Sequence, residues 1–460
     1  MRLSRSKHSF YRHPSSSYLR ILPFVACSNL ALFISGYAVA GEGVVNPGST
    51  LTSGATSASN SVYAGVFNPA VGSLMIAPKE SFRMGYLPSF GTDAEVGQVD
   101  NFIDDLNDLV DIIDDPTSSN DPVQTLLDRF NAALIKMGDE GYVKNSVSIH
   151  APIMPLYWQP SFLDGVFMLD ASVNTQLKAS ILDAPLEFHS ESTSFTTATS
   201  LYLKGAIEKS LALGYSQALL DKPLAKEYGG QLFAGAKLSV YNIDLSKQTF
   251  LLEKLDGKDV DKVIKDEYDR NLVSTTNVGL DLGLAWVADN YRVGASLLNI
   301  NQPSFDYGAI GTNCQTRKEG SVERSNCESA ATFAKERGDI KTLESHVKAA
   351  RVVVDGEYQI LSGWTVGGSA DLAAFDDLVG SQNQWVNLST QYVPSIHWVP
   401  AVRVGYQSNL VGSQLSAVTA GLTFWGILTL DAKMALDKVT VDGNSAPRSA
   451  GFSISIAEAF

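Results

Sequence analysis

The 460-residue chain is short of the residues on which most site chemistry depends. It carries three cysteines and six histidines. The histidines, His8, His13, His150, His189, His346 and His397, stand singly. Cys-x-x-Cys is absent, which excludes a thioredoxin-type redox site. No Gly-x-Ser-x-Gly, His-Glu-x-x-His or Walker-type segment occurs. No catalytic constellation is visible, so neither an enzyme nor a cofactor or metal site is expected. Beyond the N-terminus no stretch approaches the roughly 18 uninterrupted apolar residues of a transmembrane helix, which excludes a helical membrane protein. Basic side chains are also scarce, with 35 Lys and Arg against 49 Asp and Glu and a formal net charge of −14. That balance argues against binding nucleic acid through a basic surface.

What positive charge there is gathers at the start. Arg2, Arg5, Lys7, Arg12 and Arg20 fall within the first twenty residues without one acid. A broken apolar stretch follows, Ile21–Ala26 and Leu30–Ile34, and closes on Ala38-Val39-Ala40 before Gly41. This is the pattern of a Sec-type signal peptide cleaved near Ala40. An uncleaved membrane helix fits less well, because Pro23, Ser28, Asn29 and Ser35 interrupt the run. A lipobox at Cys27 is poor, since Phe24 stands where Leu is preferred and the apolar run continues past the cysteine. Loss of residues 1–40 removes five positive charges and moves the net charge from −14 to −19. The remaining 420 residues suffice for two or three soluble domains or for one large barrel. Cys314 and Cys327 then remain, thirteen apart in a polar stretch. Export favours oxidation, so a disulfide is expected, contributing ~3 kcal/mol to that loop in the chain-entropy account. Two free thiols or a metal pair is the alternative, and no nearby His or second Cys pair supports the metal.

From Gly165 onward the dominant pattern is alternation of period two. Val278, Leu280, Leu282, Leu284 and Trp286 alternate with Asn277, Gly279, Asp281, Gly283 and Ala285. Asp289-Asn290 makes a tight turn, and Tyr291, Val293, Ala295 and Leu297 resume the apolar face. A second hairpin runs through Val352–Ile360, turns near Ser362-Gly363 and returns through Trp364–Leu372. Similar runs occupy 166–182, 199–216, 230–245, 384–393, 400–408, 414–424 and 427–438, and Ser81–Phe90 forms a first one. At the end, Phe452, Ile454, Ile456 and Phe460 face one way and Ser453, Ser455, Ala457 and Ala459 the other, with Glu458 out of place on the apolar face. The charges Asp281, Asp355, Glu357, Asp371, Arg403, Asp431 and Lys433 lie in strand interiors opposite apolar faces. A soluble sandwich would also carry charge on its wet face. Here, however, Trp286, Tyr291, Trp364, Tyr392, Trp398 and Tyr406 gather near strand ends, as girdles at two membrane interfaces would place them. A lipid-facing exterior and a lumen lined by those seven charges account for both observations. The expectation is an all-β protein, a transmembrane antiparallel β-barrel of about 14 strands.

Two inserts depart from the strand pattern. Val99, Phe102, Ile103, Leu106, Leu109, Val110 and Ile113 recur at helical spacing, and Pro116 stops that helix. Asn120 or Asp121 caps a second helix, whose apolar stripe is Leu126, Leu127, Phe130, Leu134 and Met137. The resulting αα-hairpin carries Asp100, Asp104, Asp105, Asp108, Asp111, Asp114 and Asp115 on or beside its wet face. Calcium would need a glycine placed as in an EF-hand loop, and there is none. A shorter helix is expected around Asp259–Asp269, and a long loop from Gln302 to Ser345.

Against this background the segment Tyr63-Ala64-Gly65-Val66-Phe67-Asn68-Pro69-Ala70 becomes informative. Its Asn68-Pro69-Ala70 step soon after the mature N-terminus resembles the hatch-proximal region of FadL-like outer-membrane transporters of hydrophobic compounds. With the helical insert and the terminal Phe460, the whole mature chain resembles the exported conjugal-transfer TraF-like family. That resemblance implies a FadL-type barrel in the cell outer membrane, with residues 41–80 as an N-terminal plug marked by Asn68, Pro69 and Ala70. Residues 81–460 would form the barrel, with the helical insert at 97–138 and the long loop at 302–345. The implied function is a channel for hydrophobic solutes. An outer-membrane component of a conjugative transfer or secretion apparatus and a soluble secreted β-protein are the alternatives. The implied partners are outer-membrane lipid, an apolar solute, and the barrel-assembly machinery through the strand ending at Phe460, with no direct role for nucleic acid. Cell fractionation checks the common premise: the chain is expected in the outer membrane and should migrate in a heat-modifiable way on SDS gels, whereas a soluble β-protein would do neither.

Overall fold

The computed structural model describes residues 47–54, 61–77, 80–117, 119, 121–220, 222–254, 260–396, 398–441 and 443–456. The expected signal peptide with its cleavage site, and the terminal Glu458 and Phe460, lie outside them. Among the described residues fourteen strands form the wall. They are β1 (Phe82–Met84 continued by Phe90–Val96), β2 (Tyr142–His150 continued by Leu156–Trp158), β3 (Val166–Leu182), β4 (Ser200–Ala218), β5 (Gly230–Leu251), β6 (Val273–Ala288) and β7 (Tyr291–Leu298). Then come β8 (Arg351–Leu361), β9 (Trp364–Asp371), β10 (Trp385–Tyr392), β11 (Ala401–Asn409), β12 (Ser416–Phe424), β13 (Leu428–Ala435) and β14 (Ser449–Ile456). Every strand pairs antiparallel with its neighbours in sequence, and β14 pairs with β1, so the ring closes. Closure leaves no edge strand with unpaired N–H and C=O groups, the condition for a sheet to stand in hydrocarbon.

Alternation sorts the side chains of this wall in the reverse of a soluble protein. Leu280, Leu282 and Leu284 on β6 are 37, 45 and 51% exposed, while Asp281 among them is 1% exposed. Cross-strand register carries the rule around the ring: Asp281 faces Lys237 of β5, and Gly421 lies between Arg403 of β11 and Asp431 of β13. Val293, Leu388, Val404, Val418, Leu430 and Phe452 are exposed on the other face. An exterior of this kind is stable where the surroundings are acyl chains, and the polar face then points into the lumen.

The two ends differ. Turns 289–290, 362–363 and 425–427 are short, while connections 97–141, 183–199, 252–272, 299–350 and 372–384 are long. Outer-membrane barrels keep short turns on the periplasmic side and long loops outside. The described helices are α1 (Thr50–Ser53), α2 (Ala64–Phe67), α3 (Phe102–Asp114), α4 (Val123–Glu140), α5 (Lys222–Tyr228), α6 (Val260–Asn271) and α7 (Val322–Thr332). None is long and apolar enough to cross a membrane. The wall is also uneven in height: β3, β4 and β5 run for 17, 19 and 22 residues, but β7 and β9 for 8 each. Where the tall strands rise past the exposed belt, helices cover their outward faces. Ile264 of α6 packs on Leu177, Leu203 and Phe250. Leu109 of α3 and Leu126, Phe130, Leu134 and Met137 of α4 pack with Ile181, Leu186, Phe195 and Leu252. The stripe at helical spacing therefore buries against the outside of the wall. In the long connection 299–350, Cys314 and Cys327 form a disulfide. The adjoining α7 is tied to the rim: Asn326 Oδ1 accepts from the Leu251 N–H at 3.0 Å, and the hydroxyls of Ser329 and Ser200 are 2.7 Å apart.

Two expectations are corrected. The run Ser81–Phe90 is not one strand; β1 breaks at 85–89, where Pro88 withholds a donor. The aromatic residues do not divide between two girdles. Trp286, Tyr291, Trp364, Tyr392 and Trp398 all lie at the short-turn end, tied by bonds such as Trp286 Nε1 to Tyr291 Oη at 3.2 Å, while Tyr406 sits in the belt opposite Leu388. Substituting Leu282→Arg in the mid-belt is expected to lower stability by about 2–4 kcal/mol. Urea unfolding of the refolded protein in liposomes, followed by tryptophan fluorescence, measures this, and an unchanged midpoint would place that face outside the lipid.

Candidate functional site

The N-terminal segment lies between inward faces on opposite sides of the ring. α1 packs against β10–β13 and meets them with its backbone. The Thr52 N–H donates to Asp431 Oδ2 at 3.1 Å, Thr52 O accepts from Asn387 Nδ2 at 3.3 Å, Leu51 O accepts from Gln407 Nε2, and Ser53 O accepts from Ser389 Oγ at 3.4 Å. Residues 62–75 form the other contact. Val62, Tyr63, Val66, Phe67, Val71 and Met75 are buried with Tyr157, Val166, Met168 and Ala285 of the wall. Lys237 Nζ donates to Val66 O at 2.6 Å, and the hydroxyls of Ser73 and Ser216 are 2.8 Å apart.

Asn68, Pro69 and Ala70 make the tightest approach, for local reasons. Asn68 caps a 3-10 turn, Pro69–Leu74: its Oδ1 accepts from the Ala70 N–H at 3.1 Å, and Pro69 occupies the first helical position, where no donor is needed. The Asn68 amide nitrogen reaches Asp355 Oδ1 and Leu284 O, each at 3.4 Å. Beneath the turn the wall gives up its side chains. Gly235 and Gly283 face each other in register, and a Cβ on either would run into Pro69, Ala70 or Asn68; one on Gly294 would come within 2.8 Å of Asn68 Nδ2. Glycine inside a strand marks such a close backbone approach.

The charges singled out from the sequence fall into three groups rather than one site. Asp281 and Asp355 lie under the Asn68 turn: Asp281 pairs with Lys237 at 3.0 Å, and Asp355 with Arg292 at 2.6 Å, with Glu357 farther out at 3.6 Å from the same guanidinium. Arg403 and Asp431 pair at 2.7 Å beneath α1, where Arg403 also donates to Thr423 Oγ1. Asp371 and Lys433 sit nearer the loops, paired with Arg351 at 3.5 Å and Asp93 at 2.8 Å. The partners Lys237, Arg292 and Asp93 escaped sequence reading because pairing depends on register between strands. The wall glycines did carry a signal, as interruptions of otherwise regular strands.

The segment borders a cavity on each side. Toward the loops lies one of about 170 Å³, lined by Leu51 and Phe67 of the segment, by Leu298, Val353, Trp385, Asp93, Glu208 and Lys433 of the wall, and by Phe375, His346, Lys348 and Asp377 of the loops. Burial, with Lys348 beside it, pushes the His346 imidazole down to about 4, so it is neutral at physiological pH. Toward the short turns lies one of about 480 Å³, lined by Ser49, Ser53, Ser61 and Leu74 of the segment and by Arg83, Arg292, Glu357 and Gln391.

Beside the segment two neighbouring strands break together. β1 stops at 85–89 and β2 at 151–155, where Pro88, Pro152 and Pro155 lack N–H groups and Ile153 takes φ 61°. Few backbone bonds cross the gap, among them Gly85 N–H to Pro155 O at 3.1 Å and His150 N–H to Ser89 O at 3.2 Å. Outside it Tyr86, Leu87 and Ile153 are exposed. Inside it the His150 ring packs on Tyr63 at 5.0 Å and bonds Asp170 at 3.1 Å, and Tyr157 donates to Val62 O at 2.6 Å.

Residues 65–371 match the family model described as F plasmid transfer operon, TraF, protein. No curated protein sequence matches this chain. Among solved structures it is similar to the Pseudomonas putida toluene transporter TodX, at 13% identity over 90% of this chain and 96% of that one, TM-score 0.37. It is also similar to the Ralstonia pickettii toluene transporter TbuX (11% identity, 90% and 98% covered, TM-score 0.39) and to a Pseudomonas aeruginosa FadL homologue (11%, 91% and 98%, TM-score 0.38). Replacing Gly283 by Leu is expected to unseat the Asn68 turn while leaving the ring closed. Limited proteolysis should then cut between residues 47 and 77 faster than in the unaltered protein, and equal rates would show that the glycine seat does not hold the segment.

Proposed function

Because this chain belongs to the F plasmid transfer operon TraF protein family and is built as an outer-membrane β-barrel, we propose that it is a plugged channel for hydrophobic solutes. The observation that carries this reading is the placement of one segment across the lumen, between two cavities. Its Leu51 and Phe67 join Leu298, Val353, Phe375 and Trp385 in a loop-side chamber whose lining also carries Asp93, Glu208, Lys348 and Lys433, and its Ser49, Ser53 and Ser61 face a second chamber on the other side. Residues 41–80 are assigned as the plug, and residues 81–460 as the barrel with its helical insert and long loop. Export, cleavage near Ala40 and assembly through the C-terminal strand belong to the same proposal.

A solute that has reached the loop-side chamber faces two routes. Straight on, the lumen is lined by Arg83, Arg292 and Glu357, and an apolar molecule there would regain contact with water, at about 25 cal/mol per Å² of its surface. Sideways, the interrupted strands β1 and β2 offer a wall with few backbone bonds and an apolar collar of Tyr86, Leu87 and Ile153. Hydrophobic surface is then passed from Phe67 and its neighbours to lipid without crossing water. Tyr63 against His150 and Val62 against Tyr157 tie the plug to that gap, so a shift of the segment alters the gap as well.

Deleting residues 41–70 is expected to raise single-channel conductance in planar bilayers and to speed uptake of an apolar aromatic such as naphthalene into liposomes. Unchanged conductance would remove the plug assignment. Naphthalene uptake no faster than in protein-free vesicles, for both forms, would remove the channel.

A further inference from the structure

The loop-side cavity is lined by one imidazole that the rest of the chain leaves unengaged. His346 lies in a short ribbon of connection 299–350, where Ser345–Val347 pairs antiparallel with Ser304–Asp306 and His346 stands directly opposite Phe305. Opposed residues share a face, and alternation turns their neighbours the other way. Val347 is accordingly 44% exposed, while Phe305 is buried and His346, only 9% exposed, lines the cavity. The His346 ring makes no hydrogen bond and no ion pair among the described residues. Buried polar side chains are as a rule hydrogen-bonded, so this ring calls for a partner from outside the chain.

The groups around the ring decide what that partner is. The charges on the lining are already matched: Lys348 with Glu208 at 2.8 Å, Lys433 with Asp93 at 2.8 Å, Arg351 with Asp371 at 3.5 Å, and Asp377 with Lys144 at 2.5 Å. An ionic solute would have to break one of these pairs, which is costly where they are buried, or settle for Asp376, which is exposed at the rim. Burial and the neighbouring Lys348 keep His346 neutral, and a neutral imidazole offers a lone-pair nitrogen as acceptor. Three other polar groups of the lining are also short of a donor. The amide oxygens of Gln176, Asn299 and Asn387 are buried without a hydrogen-bond partner among the described residues. The Asn387 amide is held that way round, because its nitrogen donates to Thr52 O. A carboxylate would bring only further acceptors, whereas a hydroxyl brings the missing donor.

The rest of the lining suits one ring. Leu51, Phe67, Phe375 and Trp385 supply apolar surface, and Phe375 is steadied by the Arg351 guanidinium 4.3 Å over its face. The cavity of about 170 Å³ is close to the roughly 150 Å³ in which a closed apolar cavity holds benzene. We propose that His346 is the recognition residue of this cavity, accepting the hydroxyl hydrogen of a small uncharged phenol whose ring lies among Leu51, Phe67, Phe375 and Trp385. His346 belongs to a loop and Phe67 to the N-terminal segment, so a bound phenol touches both. The inference rests on the channel reading and narrows its solute from any hydrophobic molecule to a single aromatic ring that carries a hydrogen-bond donor.

Fluorine NMR titration of the mature protein in lipid nanodiscs, with empty nanodiscs as the partition blank, tests this with para-fluorophenol, para-fluorotoluene and para-fluorobenzoate. The phenol is expected to bind about tenfold more tightly than the toluene, the scale of one hydrogen bond to a buried partner, and more tightly than the benzoate. His346→Leu should bring the phenol down to the level of the toluene and leave the toluene unchanged. A misfolded variant would lose both, and heat-modifiable migration confirms that the ring is closed. The comparison of probes on the unaltered protein decides independently of any variant. Phenol and toluene binding equally, or a folded His346→Leu protein that keeps the preference, would overturn the assignment and leave the imidazole to water alone. Tighter binding of the benzoate would overturn it in favour of an ionic head group. Naphthalene flux into liposomes separates these outcomes from failure of the channel. Phenol preference without flux leaves the site and removes the channel; flux without that preference removes the site alone.

Discussion

Everything in this molecule follows from the need to pair every backbone N–H and C=O of a sheet that has no water on its outer side. The β14–β1 ladder meets that need by closing the ring, and closure forces strict alternation on each strand. Once the outward belt positions are Leu, Val, Tyr and Phe, the inward ones take most of the polarity. The lumen becomes a place where Arg403, Asp431, Lys237 and Asp281 sit nearly without solvent and must find partners.

That inherited polarity explains how the N-terminal segment is held. An apolar plug would have little to bind on a wall of charges. The segment instead offers backbone carbonyls and amides at α1 and at Val66, and the wall's ion pairs turn their spare hydrogen-bonding capacity toward them. Apolar packing is confined to the patch where Tyr157, Val166 and Met168 come inward. The contact thus joins one apolar patch at residues 62–75 to separate hydrogen bonds at α1 and Val66.

Much of the wall was legible in the sequence, because alternation is a local property. The Val278–Trp286 and Tyr291–Leu297 runs with their Asp289-Asn290 turn, the strands from 351 to 456 and the amphipathic stripes at 102–113 and 126–137 all appear where their periodicity places them. The break within Ser81–Phe90 was hidden, because its cause is shared with Pro152 and Pro155 some seventy residues on. The single-ended aromatic ring was hidden as well, since a sequence shows that a residue is near a strand end but not which end. For the candidate site, Asn68-Pro69-Ala70 stood out and the wall glycines left a trace, while the pairing of Gly235 with Gly283 beneath the turn and the ion pairs across strands did not. Those depend on which residue of one strand faces which of the next, and register is fixed by turns and packing far from the residues concerned.

The tall strands carry one more consequence. Along the outward face of β4, Leu213 and Leu211 are bare, while Leu203, eight residues above Leu211, lies under α6. A single row of side chains thus changes solvent, from acyl chain to protein, within a few residues. The helices act as a flange: sinking the barrel would push their charged outer faces into lipid, and raising it would bring the leucine belt into water. The molecule therefore carries its own waterline, and its depth in the membrane is set by the fold rather than by the membrane's thickness.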